Sequence, residues 1–191
     1  AQAVLREHAP MPFDICVQAQ PTGMLDAVLL AHPAVAARAA SRVWVTWCDQ
    51  VGIRPSTLVR LGAEANRRAA LALPTVKYDA PYIHFERDTT GRISHVRQRR
   101  EGDAMPRVGE SDAGLFSLSR RAFLEALPEY AREVHPGATT GERNLLPFIP
   151  WLAARAEVRT FACEDRMEAL GVNTPDDLRM MEAWLAGQAH A

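Results

Sequence analysis

The apolar positions of this chain change period several times, and each change marks an expected element. Phe13 to Gln18, "FDICVQ", alternates apolar and polar residues as a half-buried strand does. "PTGMLDAVLLAHP" follows, with Met24, Ala27, Val28 and Ala31 at helical spacing and Pro33 as a stop. Val43 to Trp47 is a β-branched and aromatic run that reads as a strand built for a buried sheet, and it delivers an acid, Asp49, at its end. In "RPSTLVRLGAEANRR", Pro55 and Ser56 open a helix whose apolar side carries Leu58 and Leu61. "AALALPTVKY" reads as a buried strand broken by Pro74. Alternation of strand and helix predicts a mostly parallel sheet. Ahead of these, "AQAVLREHAP" has the apolar pattern of a helix (Ala3, Val4) stopped by Pro10, and it lacks an initiator Met, which suggests a truncated chain.

The middle changes character. "YIHFERD" and "ISHVRQRRE" predict two strands joined by a tight turn around Gly91. "EGDAMPRVGE" is a polar loop, and "ESDAGLFSLS" returns as one strand. "RRAFLEALPEYAREV" predicts a helix interrupted by Pro128, and "GERNLLPFIPWLAARA" another that is kinked or ended near its two prolines. "VRTFACED" predicts a late strand. "NTPDDLRMMEAWLAG" predicts a last helix with Thr174 as N-cap, Pro175 in the first turn and acids behind it. The expected architecture is a parallel βα portion, a β-hairpin insertion and a closing βα unit.

Composition narrows this picture only a little. The 191 residues suit one domain, taken as 1–191, and 48% hydrophobic with 24% charged residues is ordinary globular usage. A net charge of −1 offers no electrostatic case for nucleic acid or a membrane surface as main partner. The three cysteines, Cys16, Cys48 and Cys163, have no C-x-x-C spacing and suggest neither a disulfide framework nor a zinc site. A reducing cytoplasm is the default expectation.

Few residues advertise chemistry on their own. Asp49 at a strand end could hold a divalent cation, since open α/β sheets place ligands at the carboxyl ends of their strands; it could equally end the strand as a turn former. Gln18 offers an amide that can pair with a base edge, and Gly23 permits close approach of a ligand or another backbone. The three arginines of "RQRR", Arg97, Arg99 and Arg100, surround Gln98. Alternation would divide them between two faces, and a solvated edge strand is the plain reading. Asn173 stands where a helix cap would, and its amide oxygen also suits a hard cation beside a carboxylate. The six histidines form no metal-ligand spacing. Cys48 reads as a buried strand cysteine rather than a nucleophile. Neither G-x-x-x-x-G-K-[ST] nor G-x-G-x-x-G occurs.

Taken in order, "QAQPTGMLDA", "WCD" and "GVN" resemble the motifs of the sugar-phosphate nucleotidyltransferases, most closely a uridylyltransferase domain of the kind that acts on N-acetylglucosamine-1-phosphate. The resemblance implies a Rossmann-like nucleotide-diphospho-sugar transferase fold. It implies that Gln18 and Gly23 bind the base, that Asp49 and Asn173 hold Mg²⁺, and that Gln98, Asp112 and Glu142 lie against the sugar. The implied partners are a nucleoside triphosphate, UTP by resemblance, and a sugar-1-phosphate. The chain departs from the family in lacking its Gly-rich "L-A-A-G-x-G-T-R-M" loop, in reading "PYIHF" where the family has "G-Y-G", and in carrying Gln98 and Asp112 as substitutions. The family places the missing loop upstream, so this chain is expected to be the latter part of a catalytic domain, short of roughly 60 residues at about 30 per βαβ unit. The implied reaction is in-line attack of a sugar phosphate on the α-phosphorus of the triphosphate, which needs positioning and charge neutralisation more than an activated nucleophile. Two alternatives stand beside it: a non-sugar phosphate acceptor, or a non-catalytic module that binds or senses nucleotide sugars. A glycosyltransferase is disfavoured because the strand ends in "CDQ" rather than D-x-D.

Overall fold

In chain order the elements are α1 (Met24–Leu29), α2 (His32–Ala36), β1 (Arg42–Thr46), α3 (Pro55–Asn66), β2 (Leu71–Asp79), β3 (Ile83–Arg87), β4 (Ile93–Gln98), β5 (Val108–Asp112) and β6 (Leu115–Ser119). A π-helical turn, Ala122–Ala126, leads into α4 (Leu127–Glu133), followed by α5 (Phe148–Ala153), β7 (Val158–Ala162) and α6 (Pro175–Gln188). The structure is a computed structural model that describes residues 6–8, 12–66 and 68–188. The expected helix around Ala3 and Val4, and its stop at Pro10, lie outside the described residues.

β2 is the spine of a five-stranded mixed sheet. It pairs antiparallel with β6 through Leu71 and Ala72 and with β5 from Thr75 to Asp79, and parallel with β7 on its other side. β1 pairs antiparallel with β6. It follows that β1, β2 and β7 share one direction while β5 and β6 run against them. Pro74 does not break β2. It sits beside the step where β2 leaves β6 for β5, neither of which pairs with Leu73 or Pro74, so its missing N–H costs no ladder bond. β3 and β4 form the separate hairpin, turned by Asp88, whose carboxylate caps Thr90 and Arg92, and by Gly91 at φ 84°.

Helices cover both faces of the sheet. The larger core joins Leu71 and Leu73 of β2 and Phe116 and Leu118 of β6 to Phe123, Leu127, Phe148 and Ile149; Phe85, Ile93 and Val96 of the hairpin pack into it as well. On the other face, Leu61 and Ala65 of α3 meet Ala72, Leu115 and Phe161. Among the described residues no helix is long and apolar enough to cross a membrane.

Several local expectations are corrected. Phe13 to Gln18 is not a strand. It runs without a ladder partner, Val17 is 70% exposed, and alternation alone does not hold a strand without a neighbour's amides. β1 is a strand as expected but forms the rim of the described sheet, leaving Trp44 47% exposed. Pro33 does not stop a helix; it occupies the first turn of α2, where no N–H is needed. The buried stripe of α3 is Thr57, Leu61 and Ala65 rather than Leu58 and Leu61, a four-residue spacing in which Thr57 is kept inside by a polar partner described below. The segment "ESDAGLFSLS" is two strands because Gly114 takes φ +64° and lets the chain step from β5 to β6. Thr174 caps α6 as expected: its hydroxyl accepts from Asp177 N–H at 3.2 Å while the Asp177 carboxylate accepts from Thr174 N–H at 2.8 Å.

Candidate functional site

The shared direction of β1, β2 and β7 puts their carboxyl ends on one edge, and the amino end of antiparallel β6 lies there too, with Thr46 opposite Leu115. Asp49 follows β1 onto this edge, and Asn173 reaches it after β7 by way of a 3₁₀ turn, Arg166–Ala169. The two side chains meet: Asn173 Nδ2 donates to Asp49 Oδ2 at 3.3 Å, and Val172 N–H donates to the Asp49 carbonyl at 2.8 Å. Gly171 makes the approach feasible, because a Cβ there would stand 2.7 Å from Asp49 Oδ2. The motif's glycine therefore has a role that its spacing did not announce. Together Asp49 and Asn173 offer a carboxylate and an amide oxygen, the hard donors that Mg²⁺ takes in small number while substrate phosphates and water complete its shell. Turning the Asn173 amide would present its oxygen. No group of three His, Cys, Asp or Glu side chains suited to a metal occurs among the described residues.

Asp112 borders the same edge. It ends β5 and accepts from Gly114 N–H at 2.8 Å, while Gly114 O accepts from Trp47 N–H at 3.1 Å, which ties the β5–β6 step to the chain leading to Asp49. Burial pushes the Asp112 carboxyl up to about 6 against the pull of the Gly114 amide. The side chain of Gln50 fills the space in which a Cβ on Gly114 would sit, and its Nε2 donates to Ala169 O at 3.3 Å. Tyr78, pushed up to about 12 chiefly by burial, keeps its proton and donates a hydrogen bond to Arg166 O at 3.0 Å.

The other residues singled out by sequence gather in a second group. Gln18 Nε2 donates to Gly23 O at 3.1 Å and to the Thr22 hydroxyl at 3.2 Å. Gly23 has φ 123° and abuts Arg143, where a Cβ would lie 2.5 Å from backbone nitrogen and oxygen. Arg143 N–H donates to Thr22 O at 2.8 Å and Leu25 N–H to Arg143 O at 3.1 Å, so the loop of Gln18 and the loop of Glu142 are stitched backbone to backbone. Glu142 in turn pairs with Arg100 at 2.9 Å, close behind buried Gln98. From Gln98 the contacts return to Asp112 through Ile83, which lies opposite Gln98 in the hairpin and whose carbonyl accepts from the Ser111 hydroxyl.

Glu101 is a residue that sequence reasoning missed. Its carboxylate accepts from Thr140 Oγ1 at 2.5 Å, Asn144 Nδ2 at 2.8 Å and the Thr139 and Thr140 amides. Those donors, the Thr140 hydroxyl first, hold it down at about 2, and it anchors the loop that presents Glu142. A lone acid after three arginines gives no such signal in one sequence. The arginines themselves are committed to protein acceptors: Arg97 to Glu86 at 2.6 Å, Arg99 to the Ala80 and Pro81 carbonyls, and Arg100 to Glu142. β4 ends at Gln98 and the chain turns at Arg99–Glu101, so strand alternation does not extend to Arg99 and Arg100.

Cys48 is exposed beside Asp49, not buried in the strand. Nothing in the geometry gives it a base, so Cys48→Ser is expected to leave turnover of the intact native protein within about two-fold of wild type, against the 10²-fold or greater loss typical when a catalytic group is removed. Loss of activity in a folded Cys48→Ser protein, read by steady-state kinetics, would restore it as a nucleophile.

Comparison with known proteins bears on ancestry and fold. No family model matches the chain. The bifunctional protein GlmU of Aquifex aeolicus (strain VF5) is 34% identical over 102 residues, which is 51% of this chain and 21% of that protein. GlmU of Desulfitobacterium hafniense (strain Y51) is 30% identical over 181 residues, 88% of this chain and 37% of that protein. The chain is homologous to these proteins and spans little more than a third of their length at most. Among solved structures, HddC from Yersinia pseudotuberculosis superposes with a TM-score of 0.61 at 15% identity, over 96% of this chain and 72% of that one. A nucleoside-diphosphate-sugar pyrophosphorylase from Vibrio cholerae RC9 gives 0.60 at 14%, over 86% and 66%. The fold is thus the Rossmann-like nucleotide-diphospho-sugar transferase fold, a mixed sheet flanked by helices.

Proposed function

We propose that this homologue of the GlmU proteins performs Mg²⁺-dependent nucleotidyl transfer from a nucleoside triphosphate, UTP in the first reading, to a sugar-1-phosphate. The observation that carries the reading is the meeting of Asp49 and Asn173, far apart in sequence, at the carboxyl edge of the sheet. Homology over 88% of the chain supports it. A bound Mg²⁺ would neutralise charge on the phosphates and fix their orientation. Every other contribution comes from side chains and backbone. With its Nε2 committed to Gly23 and Thr22, Gln18 is left with Oε1 to accept from a base N–H. Glu142, steadied by Arg100 and by the Glu101-anchored loop, and the buried Gln98 and Asp112 on the path between the two groups are the side chains this reading assigns to the acceptor's hydroxyls. No side chain needs to become a nucleophile, because the acceptor brings its own phosphate oxygen.

A guanine nucleotide is the second reading for the base, favoured by an HddC structure described as complexed with GMP-PN, with a TM-score of 0.59. The test is pyrophosphate release by the intact native protein, with the four ribonucleoside triphosphates crossed against sugar-1-phosphates and polyol phosphates. Release that requires Mg²⁺, a sugar-1-phosphate and one preferred base is expected. Release with a polyol phosphate alone would replace the acceptor. Nucleotide-sugar binding without turnover for any pair would turn the chain into a binding module.

A further inference from the structure

Glu168 is wholly buried, yet it lies outside the group of residues proposed to touch substrate or ion. One oxygen, Oε2, accepts from Arg54 N–H at 3.0 Å and from the Thr57 hydroxyl at 2.5 Å; the other, Oε1, accepts from Asp165 N–H at 3.4 Å. A buried carboxylate is costly unless its lone pairs are met, and here each oxygen has a donor. The donors come from two places. Arg54 immediately precedes α3 and Thr57 lies in its first turn, at the end of the Asp49 loop, whereas Asp165 caps the 3₁₀ turn that leads to Asn173.

The loop from Asp49 to Arg54 and the segment from Met167 to Asn173 thus run side by side, with the Asp49–Asn173 pair at one end and the Glu168 carboxylate near the other. Between the ends, Val172 N–H meets Asp49 O, Gln50 Nε2 meets Ala169 O, and Gly52 lies so close to the Met167 carbonyl that a Cβ would stand 2.8 Å from it. The arrangement is a short clamp whose far end is a charge-assisted hydrogen-bond cluster, stronger than neutral pairs and directional. An apolar residue at 168 would fill the space but would leave Arg54 N–H and the Thr57 hydroxyl buried without an acceptor.

We propose that Glu168 is a positioning residue that sets the approach of Asp49 to Asn173 and thereby the affinity of the site for its cation. It does not touch the ion. The inference rests on the Mg²⁺ reading of the pair given above.

The experiment measures Mn²⁺ binding to the intact native protein by the electron-spin resonance signal of free Mn²⁺, alongside the thermal midpoint, for wild type, Asp49→Ala, Glu168→Gln and Thr57→Val. Glu168→Gln keeps the shape but replaces one acceptor with a donor facing other donors. Thr57→Val removes the hydroxyl alone. Supporting partners of metal ligands change affinity by roughly 10- to 100-fold. Glu168→Gln is therefore expected to raise the Mn²⁺ Kd about 10-fold, and Thr57→Val by a smaller factor in the same direction. In turnover, both variants should shift the Mg²⁺ concentration for half-maximal rate while kcat at saturating Mg²⁺ recovers, which a merely structural defect would not produce. A Mn²⁺ Kd unchanged in folded Glu168→Gln, or in Thr57→Val if Glu168→Gln does not fold, overturns the proposal even where the midpoint drops. If Asp49→Ala abolishes Mn²⁺ binding while both other variants bind normally, the positioning role alone falls. Wild-type protein that binds no Mn²⁺, or an Asp49→Ala protein that binds it as well as wild type, removes the metal pair and the clamp's purpose with it.

Discussion

Asp49→Ala is expected to lower turnover of the intact native protein on the order of 10³-fold, equivalent to about 4 kcal/mol of transition-state stabilisation, and to leave the fold intact. Both halves of that expectation come from the same geometry. The Asp49 carboxylate sits beyond the end of β1, and its side-chain partner among the described residues is the exposed Asn173 amide, so deleting it strands no buried donor. Surface changes of this kind alter stability by about 0.5 kcal/mol or less. The backbone carbonyl of Asp49 still accepts from Val172, so the loop keeps its place. What disappears is the single negative charge in the pair proposed to hold the cation. Asp49→Asn should be nearly as damaging, because it preserves shape and removes the charge. Steady-state rates across a Mg²⁺ series decide the matter: a folded Asp49→Ala protein with wild-type turnover would show that the pair does not hold the catalytic ion.

Asp112→Asn is expected to stabilise the protein by about 2–3 kcal/mol at pH 8 and to have little effect at pH 4. The Asp112 carboxyl titrates near 3.8 in the unfolded chain and at about 6 when folded, because burial penalises its charge. Between those values the folded state holds a proton that the unfolded state has released. Stability contributed by this group is therefore complete below about pH 3.8, falls as pH rises through the window, and is lost above about pH 6. A shift of about two units corresponds to about 3 kcal/mol, and an asparagine, whose Oδ1 can still accept from Gly114 N–H, escapes the charge penalty. Urea unfolding at the two pH values reads the difference directly. An equal gain at both, or a loss at pH 8, would show that the carboxylate is stabilised by charge rather than burdened by it. If the gain is accompanied by a fall in acceptor affinity, the strain at Asp112 belongs to binding, the usual reason for a protein to keep a destabilising group.

Much of this was legible in the sequence, for reasons that differ from element to element. β1, the hairpin and α6 were readable because each is specified locally: a β-branched run, a turn around Gly91, a Thr174 cap with Pro175 behind it. Short motifs singled out residues that the structure brings into contact, Asp49 with Asn173 and Gln18 with Gly23. What stayed hidden depends on partners. Phe13 to Gln18 carries a strand's alternation without a strand's neighbours. Thr57 is buried on α3 where periodicity favoured Leu58, because the acceptor that admits a hydroxyl to the interior, Glu168, comes more than a hundred residues later. The same holds for Glu101, whose four donors arrive from a loop that no local pattern connects to it. A single chain shows which residues are present, but the pairings that give a buried acid its place are written only in three dimensions.

The junction between Gly23 and Arg143 has an evolutionary consequence. Its bonds, Leu25 N–H to Arg143 O and Arg143 N–H to Thr22 O, are made entirely by main chain. Apart from Arg143 and Asp26, whose side chains pair across the seam, residues on either loop can therefore change without breaking these backbone bonds, provided that position 23 stays bare. Under the proposed assignment of Gln18 to the base and Glu142 to the acceptor, those side chains can be exchanged while the spacing between their loops is kept. On that reading, recognition and scaffold geometry are separately mutable, and a lineage built this way can diversify what it recognises without first rebuilding its frame.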